Sequence, residues 1–106
     1  MTVEEFYRGL SSLEDTKCDI EQTNEFKKNL RLAYKRGCDL SLLLEVIHTL
    51  SKHEELEEKY KAHVLRGKYQ GVWECHVKSD WLFLWNWTNG RLMLILTGTG
   101  THSDLF

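Results

Sequence analysis

The sequence of 106 residues has no proline, only three cysteines and no long run of apolar residues. A membrane-spanning helix needs roughly eighteen or more consecutive apolar residues, so none is expected. Cys18, Cys38 and Cys75 are odd in number and far apart, which argues against a disulfide framework and against the paired spacing of a zinc knuckle. Residues 1–10 lack the basic flank and apolar stretch of a secretory signal. We therefore expect reduced thiols and a cytoplasmic location.

An excess of positive charge is also missing, because 14 Lys and Arg residues stand against 16 Asp and Glu residues, a formal net charge of −2. Residues 1–16 hold one basic and four acidic side chains, a balance of −3, which leaves +1 for residues 17–106. The basic residues form two clusters, which are Lys27, Lys28, Arg31, Lys35 and Arg36, and then Lys59, Lys61, Arg66 and Lys68. Each cluster is either a solvated face or a surface for a polyanion such as RNA.

The length fits one compact domain, and the apolar spacing of the first half predicts three helices. Thr2 and Glu5 form the pattern of a capping box ahead of a short amphipathic helix within residues 1–16. A second helix is expected between Thr23 or Asn24 and a glycine, Gly37. Asp39 then fits the cap of a third helix, which carries a stripe of leucines.

Alternation with a period of two predicts a brief strand at 18–22 and three strands at 69–77, 81–88 and 92–96. Asn89-Gly90 favours a two-residue turn that would pair Thr88 with Arg91, so the last three strands should form an antiparallel meander. One face of the meander carries Phe83, Trp85 and Trp87, and the other carries Leu82 and Leu84. Since both faces are apolar, one of them is expected to pack on the helices, and the other, partly polar toward the ends of its strands, is expected to be free for a substrate or partner.

Histidines and carboxylates in the second half could perform acid and base chemistry. Glu74 and His76 project from the same side of one predicted strand, and Asp80 follows directly. His102 comes after a run of alternating threonine and glycine at 97–101, and His63 lies beside the second basic cluster. Two alternatives stay open, namely ordinary surface histidines and a zinc site, although the sequence has no HExxH motif. The tryptophan-rich strand could likewise be core or a platform for stacking bases.

Five segments of the second half resemble a known family in order and spacing. They are Tyr60-Lys61-Ala62-His63, Leu65-Arg66-Gly67, Gly71-Val72-Trp73-Glu74-Cys75-His76-Val77, Asp80-Trp81-Leu82 and Thr99-Gly100-Thr101-His102-Ser103-Asp104-Leu105-Phe106. Residues 17–106 are similar to the YafQ-type toxins of the RelE superfamily. The resemblance implies an α+β, RelE-like fold with a twisted antiparallel sheet packed against two helices. Residues 1–16 would be an N-terminal helical extension, outside the usual pattern.

The resemblance further implies the toxin of a toxin-antitoxin pair, an endoribonuclease that cuts messenger RNA in the ribosomal A site without a metal or other cofactor. Its partner would be a cognate antitoxin similar to DinJ or RelB, with which it would form a hetero-oligomer. The positions that match the family's catalytic or acidic residues are His63, Glu74, His76, Asp80 and His102. Those assigned to RNA binding are Lys61, Arg66, Lys68 and Phe106. As a hypothesis, His102 is the general acid and His76 or Asp80 the base.

Two departures from the family pattern bear on this interpretation. Many relatives have an arginine before the Thr-Gly-Thr-His run, where this chain has Gly98. The enzyme could then be slow, could use Arg66 or Arg91 instead, or could be a binding module that engages an antitoxin or ribosome without cutting RNA. The acidic extension could pack on the domain, extend an oligomer interface or shield the basic surface.

Overall fold

The structure, a computed structural model, describes residues 1–88 and 93–106. Four helices lie in these residues, namely α1 (Val3–Ser11), α2 (Asn24–Lys35), α3 (Leu40–His53) and α4 (His102–Leu105). The strands are β1 (Asp19–Gln22), β2 (His63–Val64), β3 (Trp73–Lys78), β4 (Trp81–Thr88) and β5 (Met93–Gly100). Single 3₁₀ turns occupy Glu58–Tyr60 and Gly67–Tyr69. The predicted α+β fold class is confirmed.

The helices begin at the residues whose side chains satisfy their free N–H groups. Thr2 and Glu5 form both hydrogen bonds of the predicted capping box. The Thr23 hydroxyl accepts a hydrogen bond from the backbone of Phe26 at 3.0 Å and thereby starts α2. Asp39 caps α3 in the same way. Local sequence therefore sets the helix starts.

The described strands form one sheet in the order β1-β5-β4-β3-β2. Neighbours from β5 to β2 are antiparallel, which confirms the predicted meander. β1 runs parallel to β5, with Ile20 opposite Leu94, so the sheet is mixed. Thr88 pairs with Met93, not with the predicted Arg91, while the predicted turn at Asn89-Gly90 lies outside the described residues. A β-bulge between His76 and Lys78 bends the sheet near the β3–β4 hairpin.

The core lies between the helices and the sheet face that carries Phe83 and Trp85. Phe83 and Trp85 are fully or almost fully buried, and Phe83 contacts Phe26 of α2 edge to face, with ring centroids 6.1 Å apart. Trp73 stacks on Trp85 at 6.1 Å. The tryptophan-rich strand is thus core on this face.

The N-terminal helix α1 contributes to the same core. Phe6 is 0% exposed, and its ring lies 6.3 Å from that of Phe26. Where α1 comes close to α3, a Cβ on Gly9 would lie 2.6 Å from the side chain of Leu44. Of the three roles considered for residues 1–16, the structure therefore shows packing on the domain.

One expectation about the sheet was wrong in detail. The strand predicted from Tyr69 begins at Trp73, because residues 67–69 form a 3₁₀ turn and Gly71 has a φ of 89°. On the face opposite the core, Leu82 and Leu84 are only 4% and 6% exposed. No helix among residues 1–88 and 93–106 is long and apolar enough to cross a membrane.

Candidate functional site

Four of the five predicted catalytic residues line one open hollow. It lies where the β3–β4 hairpin meets the end of β5 and the start of α4. Its lining residues are Glu74, His76, Ser79, Asp80, Leu82, Thr101, His102 and Ser103. Strand β3, the hairpin and the C-terminal turn therefore bring two histidines and two carboxylates to one place.

The fifth predicted residue, His63, reaches the hollow through Glu74. Strand β2 places the two residues opposite each other, and His63 Nε2 lies 3.3 Å from Glu74 Oε1. His63 Nδ1 lies 2.9 Å from the carbonyl of Lys61, which can only accept a hydrogen bond, so Nδ1 donates. The other ring nitrogen faces a carboxyl group that is largely buried. The contact is satisfied when one proton lies between His63 and Glu74.

His76 is held in an orientation that suits a base. Its Nδ1 lies 3.3 Å from the carbonyl of Ser79 in the hairpin, and because a carbonyl only accepts, Nδ1 donates. In the neutral ring, Nε2 then carries the lone pair. The hairpin thus selects the tautomer in which Nε2 can take a proton.

His102 is the first residue of α4, a single helical turn with polar anchors at its start. The Thr101 hydroxyl accepts from the backbone of Asp104, and Asp104 accepts from the backbone of Thr101 at 2.9 Å. Asp104 also pairs with both guanidinium nitrogens of Arg36 at the end of α2, at 2.5 and 3.1 Å. These contacts, with Arg36 as the main cause, hold the pKa of Asp104 well below its usual range. No pattern in the sequence predicts this anchor.

Aromatic rings close one side of the terminal turn. Phe106 packs against the ring of His102 and, perpendicular to it, the ring of Tyr69, both at 5.0 Å between centroids. Phe106 is still 42% exposed. Tyr69 was predicted as a strand residue, and no sequence signal connects it with the chain terminus. An exposed aromatic ring thus lies beside the candidate acid.

The predicted RNA-binding lysines and arginine are not gathered in the hollow. Lys61 lines a neighbouring groove that shares His76 and Ser79 with the hollow. Lys68 Nζ lies 5.2 Å from the centre of the Tyr69 ring. Arg66 lines a separate, shallow depression, and Arg91, considered as a substitute arginine, lies outside the described residues.

Gly98, at the position of the family's arginine, lies in close surroundings. A Cβ there would be 3.1 Å from Asn29 Oδ1 and 3.4 Å from a methyl group of Leu105. Asn29 Oδ1 in turn accepts a hydrogen bond from the backbone of Thr99 at 3.2 Å. A long side chain at 98 would therefore require α4 or Asn29 to shift.

Metal ligation and thiol chemistry receive no support from the geometry. Residues 1–88 and 93–106 contain no group of three or more His, Cys, Asp or Glu side chains placed to hold a metal ion. Cys75 is fully buried beside the hollow's strand, and burial raises its pKa to about 12. Burial also raises the pKa of Cys18. Histidines and carboxylates are thus the ionisable groups that line the hollow.

A small α+β domain with a mixed sheet, a helical cover and an open histidine–carboxylate hollow at its C-terminal turn has the architecture of the RelE-like toxins. The family described as the bacterial toxin of the type II toxin-antitoxin system, YafQ, matches residues 18–106. The chain therefore belongs to the YafQ family. Residues 1–17 precede the matched segment.

Individual relatives agree with this assignment. The chain is 34% identical over 89 residues to the mRNA interferase toxin YafQ of Escherichia coli strain K12. The aligned segment covers 83% of this chain and 95% of the E. coli protein. The E. coli DinJ-YafQ toxin-antitoxin complex has a similar chain, with a TM-score of 0.76, 33% identity and coverage of 85% and 98%. A metal-bound toxin from Helicobacter pylori gives a TM-score of 0.77, 37% identity and coverage of 84% and 99%.

Proposed function

We propose that this protein is the toxin of a type II toxin-antitoxin pair, an endoribonuclease that cuts messenger RNA and is held inactive by a cognate antitoxin of the DinJ type. Its similarity to an mRNA interferase and to the toxin chain of a DinJ complex supports the proposal. The observation that carries it is the convergence of Glu74, His76, Asp80 and His102 in one open hollow. Action in the ribosomal A site and a cytoplasmic location belong to the same proposal.

The reaction is attack of a ribose 2′-hydroxyl on the adjacent phosphorus. The new bond joins the 2′-oxygen to phosphorus, the bond to the 5′-oxygen breaks, and the products carry a 2′,3′-cyclic phosphate and a 5′-hydroxyl. His76 takes the hydroxyl proton at Nε2, the nitrogen left free by its contact with Ser79. His102 gives a proton to the departing 5′-oxygen. Asp80, at the hairpin between them, orients the base or the hydroxyl group.

Positive charge must offset the charge that grows on the phosphate oxygens. His63 carries such charge when the proton that it shares with Glu74 is on the ring. Lys61 lines the neighbouring groove, Lys68 lies beside Tyr69, and position 98 is a glycine instead of an arginine. Phe106, exposed beside His102, holds a base of the substrate by stacking.

Gly98 favours a second candidate function. A guanidinium aimed at the phosphate stabilises such a transition state by on the order of several kcal/mol. Without it, the chain could have kept the antitoxin interface and lost the cleavage reaction. It would then be a binding module that engages an antitoxin or ribosome.

Replacing His102 by Gln tests both functions. We expect induction of the unaltered chain to arrest growth and to leave cut messenger RNA, and H102Q to abolish both effects while antitoxin binding, measured by calorimetry, stays intact. H53Q changes an exposed histidine with no assigned role and is the matched control. Undiminished cutting by H102Q would remove the role of His102, and absence of cutting by the unaltered chain would favour the binding module. Cleavage in the presence of a chelator should be unchanged.

A further inference from the structure

A second concavity lies against the back of His76. It is bounded by the 3₁₀ turn at Glu58–Tyr60, the end of β3 and one side of α3. We call it the lysine groove and define it by Lys59, Tyr60, Lys61 and Lys78. Of these four residues, only Lys61 has a role that the family resemblance implies, so the groove as a whole is unassigned.

The groove adjoins the candidate catalytic hollow. His76 and Ser79 line both concavities. The groove is also connected to His63, because the carbonyl of Lys61 accepts the hydrogen bond from His63 Nδ1 at 2.9 Å. Lys61 itself has a left-handed backbone, with a φ of 52°, which is uncommon for a residue with a side chain. The two concavities are therefore close enough to contact neighbouring parts of one extended ligand.

The groove carries an excess of positive charge. Its three lysines are exposed, and Glu45 is the one carboxylate among its lining residues. Outside the lining, hydrogen bonds at the start of α3 lower the pKa of Asp39, and Lys78 lies close enough for its ammonium group to contribute. Within residues 1–88 and 93–106, neither ion pair of the structure includes these lysines. Lys59 Nζ lies 5.1 Å from the centre of the Tyr60 ring, a cation–π contact that keeps the ammonium group at the groove wall. In a chain whose net charge is −2, this is a local attraction for an anion.

We propose that the lysine groove binds the phosphodiester backbone of the RNA substrate on one side of the bond to be cut. The inference rests on the proposed function and extends it to a second binding site. RNA fits better than an acidic protein segment because the groove shares a wall with the hollow, and a polynucleotide presents phosphates to both at regular spacing. The groove thus sets the path of the strand into the site.

The test measures binding of single-stranded RNA to the full chain carrying H102Q, so that no cleavage interferes. Fluorescence anisotropy over a range of salt concentrations is compared for a ten-nucleotide RNA and a trinucleotide. The double substitution Lys59→Gln and Lys78→Gln removes two charges from the groove. Lys17→Gln, at an exposed site before the strand at the opposite edge of the sheet, is the matched control.

We expect the double variant to bind the ten-nucleotide RNA about tenfold more weakly at low salt. The slope of log affinity against log salt should fall by about 1.4, since each phosphate contact on a single strand contributes about 0.7. The trinucleotide, too short to span both concavities, should be unaffected. The variant with Lys59→Arg and Lys78→Arg keeps the charge and should restore binding. Equal melting temperatures would show that every variant folds.

The outcomes separate this proposal from the proposed function. An unchanged salt slope in the double variant contradicts RNA binding by the lysine groove, even if the chain cuts RNA. So does a double variant that loses antitoxin binding and retains RNA binding. A reduced slope in the double variant supports the groove even if the chain with His102 intact cuts nothing, in which case the nuclease proposal fails alone. No binding of RNA by the H102Q chain overturns the groove.

Discussion

The two terminal helices, α1 and α4, begin in the same way and are held in opposite ways. Each starts with a threonine in a capping box. α1 is then fixed by apolar packing, with Phe6 fully buried against Phe26. α4 has no buried residue and is fixed by polar contacts, chiefly the pair between Arg36 and Asp104.

Apolar packing of α1 and polar anchoring of α4 should affect different properties, namely the stability of the fold and the cleavage of RNA. Burial of a large aromatic ring contributes much free energy of folding and leaves no polar group accessible. An ion pair at the surface contributes little to stability but fixes direction. We therefore expect substitutions in α1 to change stability and substitutions around α4 to change cleavage.

The largest effect should come from Phe6. Phe6→Ala should lower the free energy of unfolding by about 3–5 kcal/mol, because it leaves a cavity in the core. Urea unfolding followed by circular dichroism measures this loss, with Arg8→Ala, on the exposed side of α1, as control. Cleavage per folded molecule should not change. A variant of unchanged stability would show that α1 is not part of the core.

At Arg36 we expect a smaller effect, which falls on RNA cleavage and not on stability. Arg36→Met removes the anchor of the turn that carries His102, so the rate of RNA cleavage should fall about tenfold, roughly 1.4 kcal/mol in the barrier. The melting temperature should change little because the pair is solvent-exposed. Arg31→Met, on the exposed side of α2, is the control. A large loss of stability with unchanged cleavage would reverse the comparison between the two helices.

The small contribution of the Arg36–Asp104 pair to stability should depend on pH in a definite direction. The pKa of Asp104 is lowered in the folded chain, so the carboxylate stabilises the fold above its unfolded pKa of about 3.9, and this stabilisation is lost as the pH falls. The difference in melting temperature between the unaltered chain and Arg36→Met should therefore be constant near neutral pH and shrink below about pH 4. A difference that grows in acid would contradict the role of Arg36.

The smallest effect concerns the cysteines. At pH 8, iodoacetamide should modify Cys38 and leave Cys75 unmodified, because burial raises the pKa of the Cys75 thiol to about 12 and also blocks access. Cys38 lines a small cavity with Arg36 and Asp104, so its modification should slightly reduce cleavage through α4. Peptide mapping by mass spectrometry identifies the modified residue. Labelling of Cys75 before unfolding would mean that the core opens.

Local signals in the sequence were enough for the first three helices and for the sharing of faces within the sheet. Thr2, Thr23 and Asp39 cap helices as predicted, because a capping hydrogen bond spans only two or three residues. Alternation placed Phe83 and Trp85 on one face, but it did not show that this face is the buried one. The convergence of Glu74, His76, Asp80 and His102 was expected from the family resemblance, and their catalytic roles stay predictions.

Contacts between distant segments could not be predicted. The pairing of β1 with β5 joins residues more than seventy positions apart. Arg36 and Asp104 are separated by 68 positions, and Tyr69 meets Phe106 across about half that separation. The strand boundary at Trp73 also escaped prediction, since the positive φ of Gly71 is set by tertiary structure. Periodicity and capping describe neighbours, whereas these contacts depend on the complete fold.

The pairing of β1 with β5 has a consequence for the order of folding. Closing a loop of more than seventy residues costs entropy before any contact is gained, so this edge of the sheet forms late. β5 also leads directly into Thr101 and His102. During synthesis, the β3–β4 hairpin with His76 and Asp80 therefore leaves the ribosome before β5 and His102, so the hollow is completed only when the last residues of the chain are added.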